Sequence, residues 1–171
     1  MVRNAQRYGR WEFRIWQNVF EQDGRDFGMR VELVPEGTAP GACAPETIRV
    51  ADMALGAKSY AVGVRSQQAR SEWTRTRPAP AWSGLHNFAV EVARDHITWF
   101  FDGKAFATTS KRTVVAGKAL VPRVSMVGLD NATEHNGSQF SVDWVRAWTL
   151  DTGRQSRAGA ALTKTAYSPT C

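Results

Sequence analysis

Apolar and polar side chains alternate with period two along most of the chain. In "YGRWEFRIW", Gly9, Trp11, Phe13 and Ile15 fall on one side while Arg10, Glu12 and Arg14 fall on the other, the pattern of a strand with one buried face. "FGMRVELV" repeats it, with Phe27, Met29, Val31 and Leu33 set against Arg30 and Glu32. "PETIRVAD" (45–52), "SYAVGVRS", "HNFAVEVA", "HITWFFDG", "AFATTS", "PRVSMVGL" and "FSVDWVRAWTL" read as further strands, and the Asp102-Gly103 pair marks a hairpin turn. No long amphipathic helix competes with them, so the pattern predicts an all-β fold, an antiparallel β-sandwich or jelly roll. "PEGTAPGACAPE" (35–46) is a loop by composition. Residues 152–171, rich in small side chains, read as a tail beyond a single domain spanning 1–151.

Composition narrows this reading without redirecting it. At 171 residues and 43% hydrophobic content the chain can bury one sizeable core. No heptad, short repeat or apolar run of about 20 residues is present, which excludes coiled-coil, solenoid and transmembrane-helix readings. The net charge of +6 comes mainly from arginines scattered singly along the strands, the usual look of solvated strand faces. Nucleic-acid-binding motifs are absent, so the partners expected include neither nucleic acid nor membrane. Cys43 and Cys171 form no CxxC pair; they are either bridged or two separate thiols, and spacing does not decide. "NAT" at 131 and "NGS" at 136 are glycosylation sequons. Met1 opens on a polar, basic stretch with no apolar leader.

Three segments, in order, carry a resemblance. "HNFAVEVARDHITWFFDGK" (86–104) resembles a signature hairpin of glycoside hydrolase family 16, concanavalin A-like jelly rolls that cleave β-glucans, agars and carrageenans. "RYGRWEFRI" (7–15) is similar to that family's "YGRFEARI" strand, and "FSVDWVRAW" (140–148) to its closing "VDWVRVY" strand. The resemblance implies a concanavalin A-like jelly roll whose N-terminal strand lies before Met1, and an extracellular or cell-surface setting.

In that family a strand of the form E-I-D-I-x-E carries the catalytic carboxylates. "T-I-R-V-A-D" (47–52) stands in its place, so the resemblance aligns Thr47 with the nucleophile, Arg49 with the central aspartate and Asp52 with the acid/base. A retaining glycosidase needs two carboxyl groups about 5 to 5.5 Å apart, and two of the three family carboxylates are replaced here. A nearby arginine is expected to hold Asp52 ionised, and an ionised acid cannot protonate a leaving group. Glu32 and Glu46 are the neighbouring carboxylates able to stand in for the missing one.

The expected function is therefore non-catalytic binding of an extracellular polysaccharide or glycan by a monomer, with no enzyme activity. Its groove would lie on the concave sheet and be lined by Arg30, Glu32, Arg49 and Asp52. Arginines there favour uronate, sulfate or other anionic substituents. Trp11, Trp99 and Trp144 read as core; Trp16, Trp73 and Trp82 are candidates for stacking on pyranose rings, and His86 for a cleft residue. No cofactor is expected, although the resemblance makes Asp143 a candidate calcium ligand. A residual glycan hydrolase and a purely structural sandwich are the competing readings.

Overall fold

The computed structural model describes residues 5–21, 24–110, 117–129, 132–150 and 156–168. Eleven strands and no helix occur among them: β1 (Gly9–Val19), β2 (Phe27–Pro35), β3 (Glu46–Ala54), β4 (Ser59–Ser66), β5 (Ser71–Pro78), β6 (His86–Val92), β7 (Ile97–Phe101), β8 (Lys104–Thr109), β9 (Leu120–Gly128), β10 (Ser138–Trp148) and β11 (Thr163–Ala166). They form two antiparallel sheets, one ordered β10-β1-β6-β7-β8 and the other β11-β5-β4-β3-β2-β9. The chain is an all-β jelly-roll sandwich. Its described residues include no helix long and apolar enough to cross a membrane.

The inward positions read from the alternation build the core. Trp11, Phe13 and Ile15 of β1, with Phe88, Val90, Ile97 and Trp99, face Met29, Val31, Leu33, Ile48, Tyr60, Val62 and Val64 across the sandwich, and all are essentially inaccessible to solvent. Each large side chain removed from water contributes about 1.5 to 3 kcal/mol. The Asp102-Gly103 turn joins β7 to β8 with both residues at positive φ (45° and 76°), as a two-residue hairpin requires.

Two strands depart from the sequence reading. β5, "SEWTRTRP", carries Trp73 as its one large apolar inward residue and continues with Arg75 and Arg77, so its alternation does not look amphipathic. Arg77 nevertheless covers aromatic surface, its guanidinium 4.3 Å from the Phe101 ring centre and 4.8 Å from that of Phe106. Trp73 is thus a core residue in a strand and not a loop aromatic open to a sugar.

β11 comes from the segment expected to lie beyond the domain. Ser156 accepts a hydrogen bond from Thr98 Oγ1 (2.7 Å) and donates to Glu91 Oε1 (3.0 Å), and Ala158 N donates to Thr108 Oγ1 (2.8 Å). Arg75 then holds Ala161 O (3.3 Å), and β11 pairs with β5 as the last strand of the six-stranded sheet. Residues 156–166 therefore run from one sheet to the other, past the edge that the sequence places near Asp151.

Two further readings change. Trp144 is half-buried, not core. It pairs with Arg14 on the outward side of the edge strand β10, and the Arg146 guanidinium lies 4.3 Å from its ring centre. Asn136 does not present its amide to a glycosyltransferase; it is 7% exposed, accepts from Gly24 N (2.9 Å) and donates to Asp26 (2.6 Å). The other sequon asparagine, Asn131, lies outside the described residues.

Candidate functional site

The strand "ETIRVADMA" is bent by a β-bulge. Against β2, Asp52 pairs with Arg30 and Ala51 with Val31, but Arg49 then pairs with Glu32, leaving Val50 as the extra residue. Period-two alternation would send Arg49 and Asp52, three residues apart, to opposite faces; one inserted residue puts both on the outer face. Trp99, reaching across the core from β7, donates its indole N–H to the Arg49 carbonyl at 2.8 Å and fixes the bulge.

The outer face of the six-stranded sheet thus carries a continuous charged network. Arg30 Nε and Arg49 Nε each stand 3.6 Å from Asp52, on different oxygens. Arg49 extends over Gly63, its cross-strand partner on β4, to reach Glu72 on β5 (Nη1 to Oε2, 2.9 Å). Gly63 is required here, because a Cβ on it would lie 2.2 Å from the Trp73 carbonyl oxygen. Glu32 is gripped through Oε2 by Arg123 Nε (3.0 Å) and Nη2 (2.8 Å), while Arg123 Nη1 holds Ala42 O (2.7 Å). Beside Arg123, the 36–41 loop and β9 enclose a depression of about 450 Å³ walled largely by Val34, Pro40, Val121 and Pro122.

One row along the same face the surroundings change. Thr47 pairs with Arg65, and Arg65 with Glu72. Thr47 is 1% exposed, its hydroxyl turned to Ala44 O at 3.4 Å. Arg65 is 2% exposed and donates to Cys43 Sγ (2.7 Å), Ala44 O (3.3 Å), Tyr167 OH (3.1 Å) and Ser168 O (2.6 Å). Its Nε lies 3.3 Å from Glu72 Oε1 without the alignment of a hydrogen bond. Cys43 is disulfide-bonded; Cys171, the other cysteine of the sequence, lies outside the described residues.

The chemistry of the face follows. Thr47, which the resemblance aligns with the nucleophile, offers a buried hydroxyl and no carboxylate. Asp52, expected to be held ionised by arginine, has its carboxyl raised above the ordinary 3.8: burial is the largest cause and Glu32 adds to it, while Arg49 and Arg30 pull the other way without prevailing. Glu46 is paired with Lys118. The carboxylate the sequence reading missed is Glu72, and it was missed with its strand.

The structure brings Arg30, Glu32, Arg49 and Asp52 together as expected, but leaves Trp82 and His86 elsewhere. His86 opens β6 in the other sheet, with Nδ1 2.9 Å from Asp102 and Nε2 3.0 Å from Ala81 O. Its ring stacks on Phe101 (5.3 Å) and meets Trp82 edge-on (5.7 Å), and Trp82 in turn stacks on Phe88 (6.0 Å). Trp16 donates to Trp82 O at 3.2 Å. These aromatics hold the 79–85 loop against the end of the sandwich. Asp143, the candidate calcium ligand, is paired with Arg14 at 3.6 Å. No group of three His, Cys, Asp or Glu side chains suited to a metal occurs among the described residues.

No protein-family model matches the sequence, and no curated protein matches it. Solved structures do match. The laminarinase catalytic domain of Thermotoga maritima MSB8 superposes with a TM-score of 0.64 at 15% identity, over 88% of this chain and 67% of that one. The endo-β-1,3-glucanase of Pyrococcus furiosus gives 0.63 at 17% identity, over 88% and 64%. The laminarinase of Rhodothermus marinus gives 0.60 at 17%, over 85% and 67%. The chain spans about two thirds of the length of these enzymes. Identities this low speak for the fold, and the fold is that of a glycoside hydrolase family 16-like concanavalin A-like jelly roll.

Proposed function

We propose that the outer face of the six-stranded sheet is a non-catalytic glycan-binding surface centred on Arg49, with Arg30 and Asp52 beside it. The observation that carries this reading is the contrast within the face. The position aligned with the nucleophile is a buried threonine, whereas Arg30, Arg49 and Asp52 keep 20%, 17% and 27% of their side chains open to solvent. A guanidinium that already shares a carboxylate can exchange part of that pairing for a ligand carboxylate or sulfate at modest cost. Solved neighbours of this fold are laminarinases and glucanases, and one is described among endo-acting O-glycanases of the human gut microbiota that initiate mucin breakdown. Extended glycans, acidic ones in particular, are accordingly the ligand class, and an extracellular setting goes with them.

Calorimetric titration with alginate, pectin and a sulfated galactan tests the reading. Binding should weaken with added salt, and Arg49→Ala should cost about 1.5 to 3 kcal/mol of affinity, the range of a hydrogen bond between charged groups. Laminarin and lichenan should release no reducing ends. Equal affinities for wild type and Arg49→Ala would remove Arg49 from the site, and turnover abolished by Asp52→Asn would make the protein a hydrolase.

A further inference from the structure

Thr47, Arg65 and Glu72 continue the charged face in the row next to Arg49, yet all are closed to solvent. What closes the row on one side is the chain's own C-terminal segment. The phenol of Tyr167 and the carbonyl of Ser168 accept from Arg65 Nη2, Ser168 N donates to Glu72 Oε1 (3.2 Å), and the Tyr167 ring lies with its centre 4.6 Å from the Arg65 guanidinium carbon. An ion pair on a sheet surface is thus satisfied by a hydroxyl, a carbonyl, an N–H and a ring face. Sugar hydroxyls and carboxylates supply the same hydrogen-bonding groups. The strand that delivers them is short: β11 has four residues, all exposed, at the edge of the sheet, the kind of element that opens locally at low cost, while Leu162 on the core and the disulfide at Cys43 beside Arg65 keep the opened segment tethered. Glu72 also bonds Arg49, so this row and the open one share a carboxylate.

We propose that Arg65 and Glu72 are a second subsite for the same acidic glycan, and that residues 163–168 are its resident intramolecular occupant, displaced when a longer ligand binds. The inference rests on the glycan-binding reading above. It predicts that shortening the occupant enlarges the site, and that a long ligand competes with the tail while a short one does not.

Three measurements on the full chain test it, with alginate oligosaccharides of two and eight residues as probes. Tyr167→Ala, and Thr165→Pro/Tyr167→Ala to loosen β11 as well, should bind the octamer about tenfold tighter than wild type, the scale of one added charge-assisted contact. The dimer should gain nothing. Adding Arg65→Gln should cancel the gain. In the wild type, where no substitution threatens the fold, saturating octamer should speed hydrogen exchange at the amides of 71–74 and 163–168. A peptide of sequence LTKTAYS should compete with the octamer on the double variant. Wild-type binding that depends on Arg49, with no gain on loosening the tail and unchanged or slower exchange, would overturn this inference and leave the proposed function standing. No binding by any variant would remove the proposed function, and this inference with it.

Discussion

Arg49 and Arg65 occupy neighbouring rows on one face of one sheet, and each reaches Glu72. Arg49 nevertheless keeps 17% of its side chain in water and Arg65 only 2%. The difference does not lie in the strands that carry them, which pair side by side as β3 and β4. It comes from two segments distant in sequence, the loop that carries Ala44 and the tail that carries Tyr167 and Ser168, which bond to Arg65. A charged side chain on such a face becomes a structural element or an available one according to what covers it, and that is not a property of its own strand.

The largest effect should come from breaking the closed row. Arg65→Ala strips one partner from a buried carboxylate and is expected to cost about 3 to 5 kcal/mol of stability by urea denaturation, against less than about 1 kcal/mol for the half-open Arg30→Ala. Similar losses for both would mean that the two rows are not distinct. Reducing the Cys43 disulfide, which lies against Arg65, should follow with about 2 to 4 kcal/mol, read as a lower melting temperature.

Gly63 lies in the row of Arg49, next to the closed one. Gly63→Ala forces a methyl against the Trp73 carbonyl and should cost about 1 to 3 kcal/mol; a substitution without effect would show that β4 and β5 do not depend on that close approach.

The smallest effect sharpens the open row. The Asp52 carboxyl is raised in the folded protein above its ordinary 3.8, so the folded state holds that proton more tightly than the unfolded one. Its contribution to stability is complete below the unfolded value and is lost as pH rises through the folded one. The stability of wild type relative to Asp52→Asn should therefore fall as pH is raised across that window. A relative rise would mean that the two arginines outweigh burial.

Local sequence already determined much of this molecule. Period-two alternation marked β1, β2 and β10, because a strand with one buried face must write its core side into every second residue, and the Asp102-Gly103 pair announced its hairpin because few residues other than glycine adopt positive φ cheaply. Arg30 and Glu32 were legible on one face for the same reason, whereas Arg49 and Asp52 were picked out by the resemblance, because alternation alone would part them and only the bulge puts both on that face. Tertiary structure decided the rest. Trp73 and Arg77 are held by aromatic and core partners from other strands, so β5 and its Glu72 could not be seen in an eight-residue window. β11, a four-residue edge strand of small and polar side chains, buries no face and writes no pattern. Its place follows from backbone pairing with β5 and from Arg65 meeting Tyr167 across 102 residues of sequence, and contacts that distant leave no local signal because neither partner's neighbours are constrained by them.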